Sequence, residues 1–176
     1  MEKANAKIRK VAVIGAESTG KTTLCRELAE HYNDIWLPEY ARSYVENLNR
    51  PYNMDDVIGI AREQCRLEKE YTTKANNLLF LDTDLIITKV WLIHVWKKCP
   101  EWIDQEIKNS DRLVYLLCDN DLPWEYDPVR ENPDIRNYLL GLYRDIIIQN
   151  KFPYFVINGT GKNRTANAIN IINVLV

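Results

Sequence analysis

The chain has 176 residues, enough for one domain with a sizeable buried core. Hydrophobic residues make up 46% and charged residues 27%, and no tract is of low complexity, which excludes extended disorder. The net charge of −2 argues against a broad nucleic-acid surface, and the most apolar window, residues 85–95, is broken by Thr88, Lys89 and His94, so no membrane span is expected.

The basic residues Lys3, Lys7, Arg9 and Lys10 lead into an apolar run, 11–14, too short for a secretory signal. That run reads as a short buried strand, followed by a glycine loop and a helix over 21–32 with Leu24, Leu28 and Ala29 on one face. A second strand is predicted over 34–38 and a short helix over 40–48. A long helix over 53–75 carries Asp55 and Asp56 in its first turn, where the helix dipole favours acid. The run 78–81 is a third strand, with a helix over 84–98 stopped by Pro100 and another over 101–109. Residues 112–118 form a fourth strand. The segment 119–131 is polar and rich in turn residues. Asn132-Pro133 opens a helix to residue 150, with proline at its first position. A fifth strand over 155–157, a loop over 158–162 and a helix over 164–176 complete the chain.

Strands alternate with helices and are continuously apolar, as strands covered on both faces are. The expectation is a doubly wound α/β fold: a parallel five-stranded sheet with helices on both faces, in a single domain over 1–176. Ligands bind such sheets beyond the carboxyl ends of the strands. Those ends carry Gly15, Glu39, Asp82, Asp119 and Asn158.

Gly15-Ala-Glu-Ser-Thr-Gly-Lys-Thr22 matches the phosphate-loop pattern G-x-x-x-x-G-K-[ST] in every fixed position, between a strand and a helix as that loop requires. Gly15 and Gly20 permit a backbone whose amides point inward at phosphate oxygens, and the helix start adds its dipole. Candidate contacts to ATP are Gly15, Glu17, Ser18, Thr19, Gly20, Lys21, Thr22 and Thr23. Lys21 can reach the β- and γ-phosphates, and the Thr22 hydroxyl can ligate Mg²⁺. The loop alone does not separate a kinase from a nucleotide switch, but no guanine-reading Asn-Lys-x-Asp is present.

The acceptor side is read from the other strand ends. Of Asp82 and Asp84 in Asp82-Thr-Asp84, one carboxylate can hold magnesium and the other can orient or deprotonate an acceptor hydroxyl; Asp84 can equally cap the next helix. Glu39 can act as a general base or accept from a ribose diol, and Arg42 offers a planar fork to phosphate or carboxylate. The segment 119–137 suits a lid that excludes water, with Arg130 as the residue that neutralises charge on the transferring phosphoryl group and Trp124 as an anchor. Arg136 follows in the next helix. His31 and His94 have no metal or nucleophile partner in sequence, and Trp91, Trp96 and Trp102 fall at helical spacing, so all five read as structural. Cys25, Cys65, Cys99 and Cys118 form no CxxC pair and read as buried thiols in a reducing cytoplasm.

Gly15-x-Glu-Ser-Thr-Gly-Lys-Thr22, Glu39-Tyr-x-Arg42 with Tyr44-Val45, Phe80-Leu-Asp-Thr-Asp84 and Trp124-x-x-Asp127-x-x-Arg130 occur in this order, and together they resemble the ribosylnicotinamide kinase domain of NadR-type proteins. The resemblance implies a P-loop kinase fold and an ATP- and Mg²⁺-dependent kinase for the ribose 5′-hydroxyl of nicotinamide riboside. It places Glu39, Arg42, Asp82 and Asp84 around the nucleoside and Arg130 in the lid; Tyr40 and Trp124 are further candidate contacts to the substrate. Nine residues precede the first strand, so neither the adenylyltransferase nor the DNA-binding part of NadR-type proteins is expected. Where some members carry a tryptophan before the Glu-Tyr pair to stack on the pyridine ring, this chain has Pro38; Tyr40, Tyr44 and Trp36 are the candidate replacements.

Overall fold

The computed structural model describes residues 7–126 and 133–176. Five strands, β1 (Arg9–Ile14), β2 (Ile35–Leu37), β3 (Leu78–Asp82), β4 (Arg112–Cys118) and β5 (Tyr154–Ile157), form one sheet in the order β2-β3-β1-β4-β5. All four neighbouring pairs are parallel. Among the described residues the α-helices are α1 (Lys21–Tyr32), α2 (Tyr40–Glu46), α3 (Met54–Thr72), α4 (Leu85–Trp96), α5 (Glu101–Lys108), α6 (Arg136–Gln149) and α7 (Gly161–Leu175). None is long and apolar enough to cross a membrane.

Successive side chains on a strand point to opposite faces, and this sorts the core into two layers. Ala12 and Ile14 of β1 and Tyr115 and Leu117 of β4 pack with Ala61 of α3, Ile86 of α4, Ile103 of α5 and Leu139 of α6. Val11, Val13, Phe80 and Leu116 turn the other way, onto Leu24 and Leu28 of α1 and Ala168 and Ile172 of α7. Each fully buried side chain of this size stabilises the fold by about 1.5–3 kcal/mol. A charge at Val13, which is 0% exposed, would therefore disrupt the sheet beside the phosphate loop.

Two devices position the walls of the cleft. Asn53 and Asp56 form a reciprocal capping box at the start of α3, at 3.0 and 2.8 Å. The same Asp56 carboxylate accepts from Arg50 at 2.6 and 2.9 Å and from the Tyr44 hydroxyl at 2.8 Å, which fastens α2 to α3. At the strand ends, Val13 of β1 is in register with Asp82 of β3, and Thr83 N–H continues the ladder to Val13 O at 3.1 Å. After β1 the chain runs past β3 to β2, whereas after β3 it crosses β1 to reach β4. The crevice between these diverging connections lies over Gly15 and Asp82.

Two helix starts stand three residues from the sequence expectation. The helix expected from residue 133 begins as a 3₁₀ turn, Pro133–Ile135, and becomes α-helical at Arg136. The last helix begins at Gly161 rather than at residue 164. Gly161 has φ 51, a left-handed value that glycine adopts without strain.

Candidate active site

The phosphate loop is shaped by close approach and by backbone sign. A Cβ on Gly15 would stand 2.8 Å from Thr19 Oγ1 and 2.9 Å from Cys118 O, so only glycine fits between the loop and β4. Gly20 has φ 76 and Ser18 φ 55, both left-handed, and such alternation turns successive amides into one concavity. Thr19 Oγ1 donates to Ala16 O at 2.8 Å, closing the loop on itself. Lys21 Nζ donates to the same carbonyl at 2.9 Å.

Asp82, at the end of β3, is 1% exposed. Its Oδ2 accepts from the Thr22 hydroxyl at 2.6 Å, while its Oδ1 is buried with no hydrogen-bond partner among the described residues. Burial raises its pKa above the usual carboxylate value, although Thr22, Lys21 and Arg42 oppose the rise. A buried carboxylate oxygen with no donor, beside a threonine hydroxyl at a helix start, is a hard-oxygen donor set suited to Mg²⁺. Among the described residues no group of three or more His, Cys, Asp or Glu could hold a metal. Magnesium needs no such group when phosphates and water supply its other ligands.

Glu39 stands at the N-cap of α2, half-buried, and its side chain makes no capping bond. Burial raises its pKa; Lys21 and Arg42 oppose this, and Asp82 and Glu17 add to it. Arg42 also approaches Glu46, one turn on, at 3.5 Å. Glu39, Arg42 and most of the phosphate loop line one cleft of about 1000 Å³. Apolar and aromatic residues also line this cleft, among them Tyr52, Val57, Ile60, Ile87, Trp91 and Tyr143.

Not every aromatic residue considered from the sequence lines this cleft. Tyr40, Tyr44 and Trp36 are absent from the described lining of the cleft. Tyr40 gives its N–H to Gln64 at 2.9 Å, Tyr44 is held by Asp56, and Trp36 borders a separate hollow with Arg26 and Tyr71. Trp91 packs against the core, as expected, and also lines the cleft, with its ring 5.7 Å from that of His94. Tyr52 and Tyr143 gave no sequence signal, because one lies in a loop and the other on a helix of ordinary pattern.

Asp84 is engaged within the protein. Its Oδ1 accepts from Ile86 N–H at 3.1 Å as the cap of α4, and its Oδ2 accepts from Arg112 at 3.0 and 2.9 Å. Arg112 also binds Glu68 of α3 at 2.7 and 2.8 Å, and Glu68 binds Lys10 at 3.0 Å. Asp84 borders the cleft, and its carboxylate fixes the β3–α4 turn.

After β4, Leu122, Pro123 and Glu125 reach the cleft. Glu125 N–H donates to Ser18 Oγ at 3.1 Å, and Arg136 donates to Leu122 O at 2.9 Å. Trp124 packs edge-on against Tyr126, its Nε1 buried without a partner, and does not itself line the cleft among the described residues. Arg130 and Asp127 lie outside the described residues.

A family model described as "AAA domain" matches residues 10–164. The chain belongs to this AAA-domain family. It is 28% identical over 130 residues to the trifunctional NAD biosynthesis/regulator protein NadR of Salmonella typhimurium and, to the same degree, to that of Escherichia coli. These matches cover 70% of the chain but 31% of each relative, so the chain spans about a third of the length of these curated relatives. Among solved structures, a NadR protein in complex with NR superposes with a TM-score of 0.82 at 23% identity, over 96% of this chain and 51% of the other. A NadR protein in complex with NAD and AMP-PNP gives 0.75 at 25% identity, over 96% and 50%. Deoxyadenosine kinase from M. mycoides gives 0.65 at 14% identity, over 94% and 99%. The five-stranded parallel sheet of this AAA-domain chain is thus a fold it shares with P-loop nucleoside kinases.

Proposed function

We propose that this chain is an ATP-dependent kinase that transfers the γ-phosphoryl group to the 5′-hydroxyl of nicotinamide riboside, giving nicotinamide mononucleotide, with residues 1–176 acting as one kinase domain. The observation that carries the reading is Asp82: a buried carboxylate, bonded to Thr22 of the phosphate loop and immediately before Thr83 and Asp84, which line the cleft. A nucleotide switch has no use for the aromatic residues that share this cleft with the phosphate loop. The likeness to NadR selects the nucleoside.

In this mechanism the amides of residues 15–22 and the Lys21 ammonium hold the β- and γ-phosphates. Thr22 and Asp82 are the residues that would hold Mg²⁺, which when bound supplies charge neutralisation at the phosphates. Glu39 takes the proton from the acceptor hydroxyl as its oxygen bonds to the γ-phosphorus and the bond from that phosphorus to the β-bridging oxygen breaks. A raised carboxylate pKa suits a base that must hold a proton briefly. Arg42 would bind the acceptor or the moving phosphoryl group, and Leu122, Pro123 and Glu125, which line the cleft, would help to exclude water. Arg130 is assigned to the lid on the sequence reading and the resemblance. The ring of the nucleoside lies against Trp91. Free cysteines fit a reducing compartment, and the cytoplasm is the proposed location.

A second reading, a kinase for another nucleoside, is favoured by one fact: Pro38 stands where a stacking tryptophan occurs in some relatives, and the ring contacts come from other elements. Incubation with ATP, Mg²⁺ and a panel of nucleosides, read as ADP release, separates the two. Stimulation by nicotinamide riboside above the others is expected; stimulation by a different nucleoside transfers the assignment to it.

A further inference from the structure

Arg164, in the first turn of α7, is 4% exposed and makes four hydrogen bonds to three separate segments. Its NH2 donates to Thr19 O at 2.9 Å and to Asp119 O at 3.0 Å. Its NH1 donates to Asp121 Oδ1 at 2.7 Å and to Gly159 O at 2.8 Å. Asp121 Oδ2 in turn accepts from Gly159 N–H at 2.6 Å. A Cβ placed on Gly20 would come 3.9 Å from Arg164 Nε, so the guanidinium lies directly behind the phosphate loop.

In a planar trans peptide the carbonyl and the following N–H point in opposite directions. With the Thr19 carbonyl drawn back to Arg164, the Gly20 N–H faces the opposite side, toward the phosphates. The same cation stands behind the cradle and adds to its positive potential. A planar fork is needed for this: four acceptors on three segments are reached from NH1 and NH2 at fixed angles, which an ammonium cannot do.

We infer that Arg164 is a positioning residue for nucleotide binding, a clamp that aims the Gly20 amide at the phosphates and ties the phosphate loop to the loops after β4 and β5. The inference rests on the phosphate-binding part of the proposed function. It makes affinity for the triphosphate tail depend on a side chain that does not touch it.

The test is calorimetry with Mg²⁺ and the non-hydrolysable analogue AMP-PNP, and separately with Mg²⁺ and tripolyphosphate, on wild type, Arg164→Lys and Asp121→Asn. Arg164→Lys is expected to weaken both ligands by about tenfold to a hundredfold, the range for a displaced positioning group. The equal loss for tripolyphosphate shows that the phosphate cradle is at fault and not the contact to the base. In steady-state assays the KM for ATP rises, while the KM for the nucleoside stays at its wild-type value. Asp121→Asn, which keeps the cation but loosens its hold, gives a smaller loss of the same pattern. Wild-type affinities in folded variants would overturn the clamp while leaving the kinase reading intact. So would a parallel rise in both KM values, or failure of both variants to fold, since Arg164 would then belong to the core alone. A wild-type protein that binds neither ligand would sink the kinase reading itself, and the clamp with it.

Discussion

Replacing Asp82 by asparagine should make the free protein more stable and the enzyme inactive. The carboxylate is 1% exposed, receives one hydrogen bond, and leaves Oδ1 without a donor among the described residues. An unsatisfied buried acceptor costs about 1–3 kcal/mol, and more when it is charged. The asparagine side chain would keep the bond from Thr22 through its carbonyl and leave a neutral amide in place of the orphaned charge. Against this stands the lost attraction of Lys21 and Arg42, which the raised pKa shows to be smaller than the burial penalty. A net gain of about 1 kcal/mol corresponds to about 2–4 °C in melting temperature for a domain of this length. With saturating Mg²⁺ and ATP the advantage should vanish, since a ligand at a hundred times its Kd adds about 2.7 kcal/mol to whichever protein binds it well. Phosphoryl transfer should fall by at least about a hundredfold. Thermal melts with and without Mg²⁺-ATP, beside ADP release, measure all three. A free Asp82→Asn protein melting below wild type, or one with normal turnover, would refute the view that function holds this charge in an unfavourable place.

Further outcomes follow from neighbouring groups. Because burial raises the Glu39 pKa, its base form is lost at a higher pH than for an ordinary carboxylate; the acid limb of kcat/KM should lie above the ordinary glutamate value, and Glu39→Gln should abolish that limb with most of the activity. The same sign applies to stability: the raised Glu39 and Asp82 groups favour the folded free protein fully below their unfolded pKa, and this contribution is lost as pH climbs through the folded values, which melts across about pH 4–8 in Glu39→Gln and wild type can resolve. Arg112→Met leaves Asp84 buried without its cation and Glu68 with Lys10 alone, and should destabilise the protein by about 3–5 kcal/mol in urea unfolding. Trp91→Ala should raise the nucleoside KM by at least about fivefold, as expected for loss of roughly 1 kcal/mol of ring contact, with the ATP KM unmoved.

The sequence is most informative where a feature is local. The phosphate loop is set by glycines at fixed spacing, and Asp82 by its place at the end of an apolar run, so both are legible in the order of residues alone. Asp84 cannot be resolved in the same way: cap and ligand look alike in sequence, and the decision falls to Arg112, 28 residues further on. Trp91 lies on α4, a helix of nearly continuous apolar residues, where periodicity cannot say which face meets a cleft. Tyr52 precedes α3 in a loop that has no period at all. Arg164 stands in the first turn of a helix that opens three residues before the sequence indicates, and its partners come from three loops that only the folded sheet brings together.

The most direct measurement is ³¹P NMR of the reaction of this protein with ATP, Mg²⁺ and nicotinamide riboside. The account predicts a new phosphomonoester resonance coupled to the 5′-methylene protons, growing with ADP. Growth of inorganic phosphate alone, with no phosphomonoester, would contradict it.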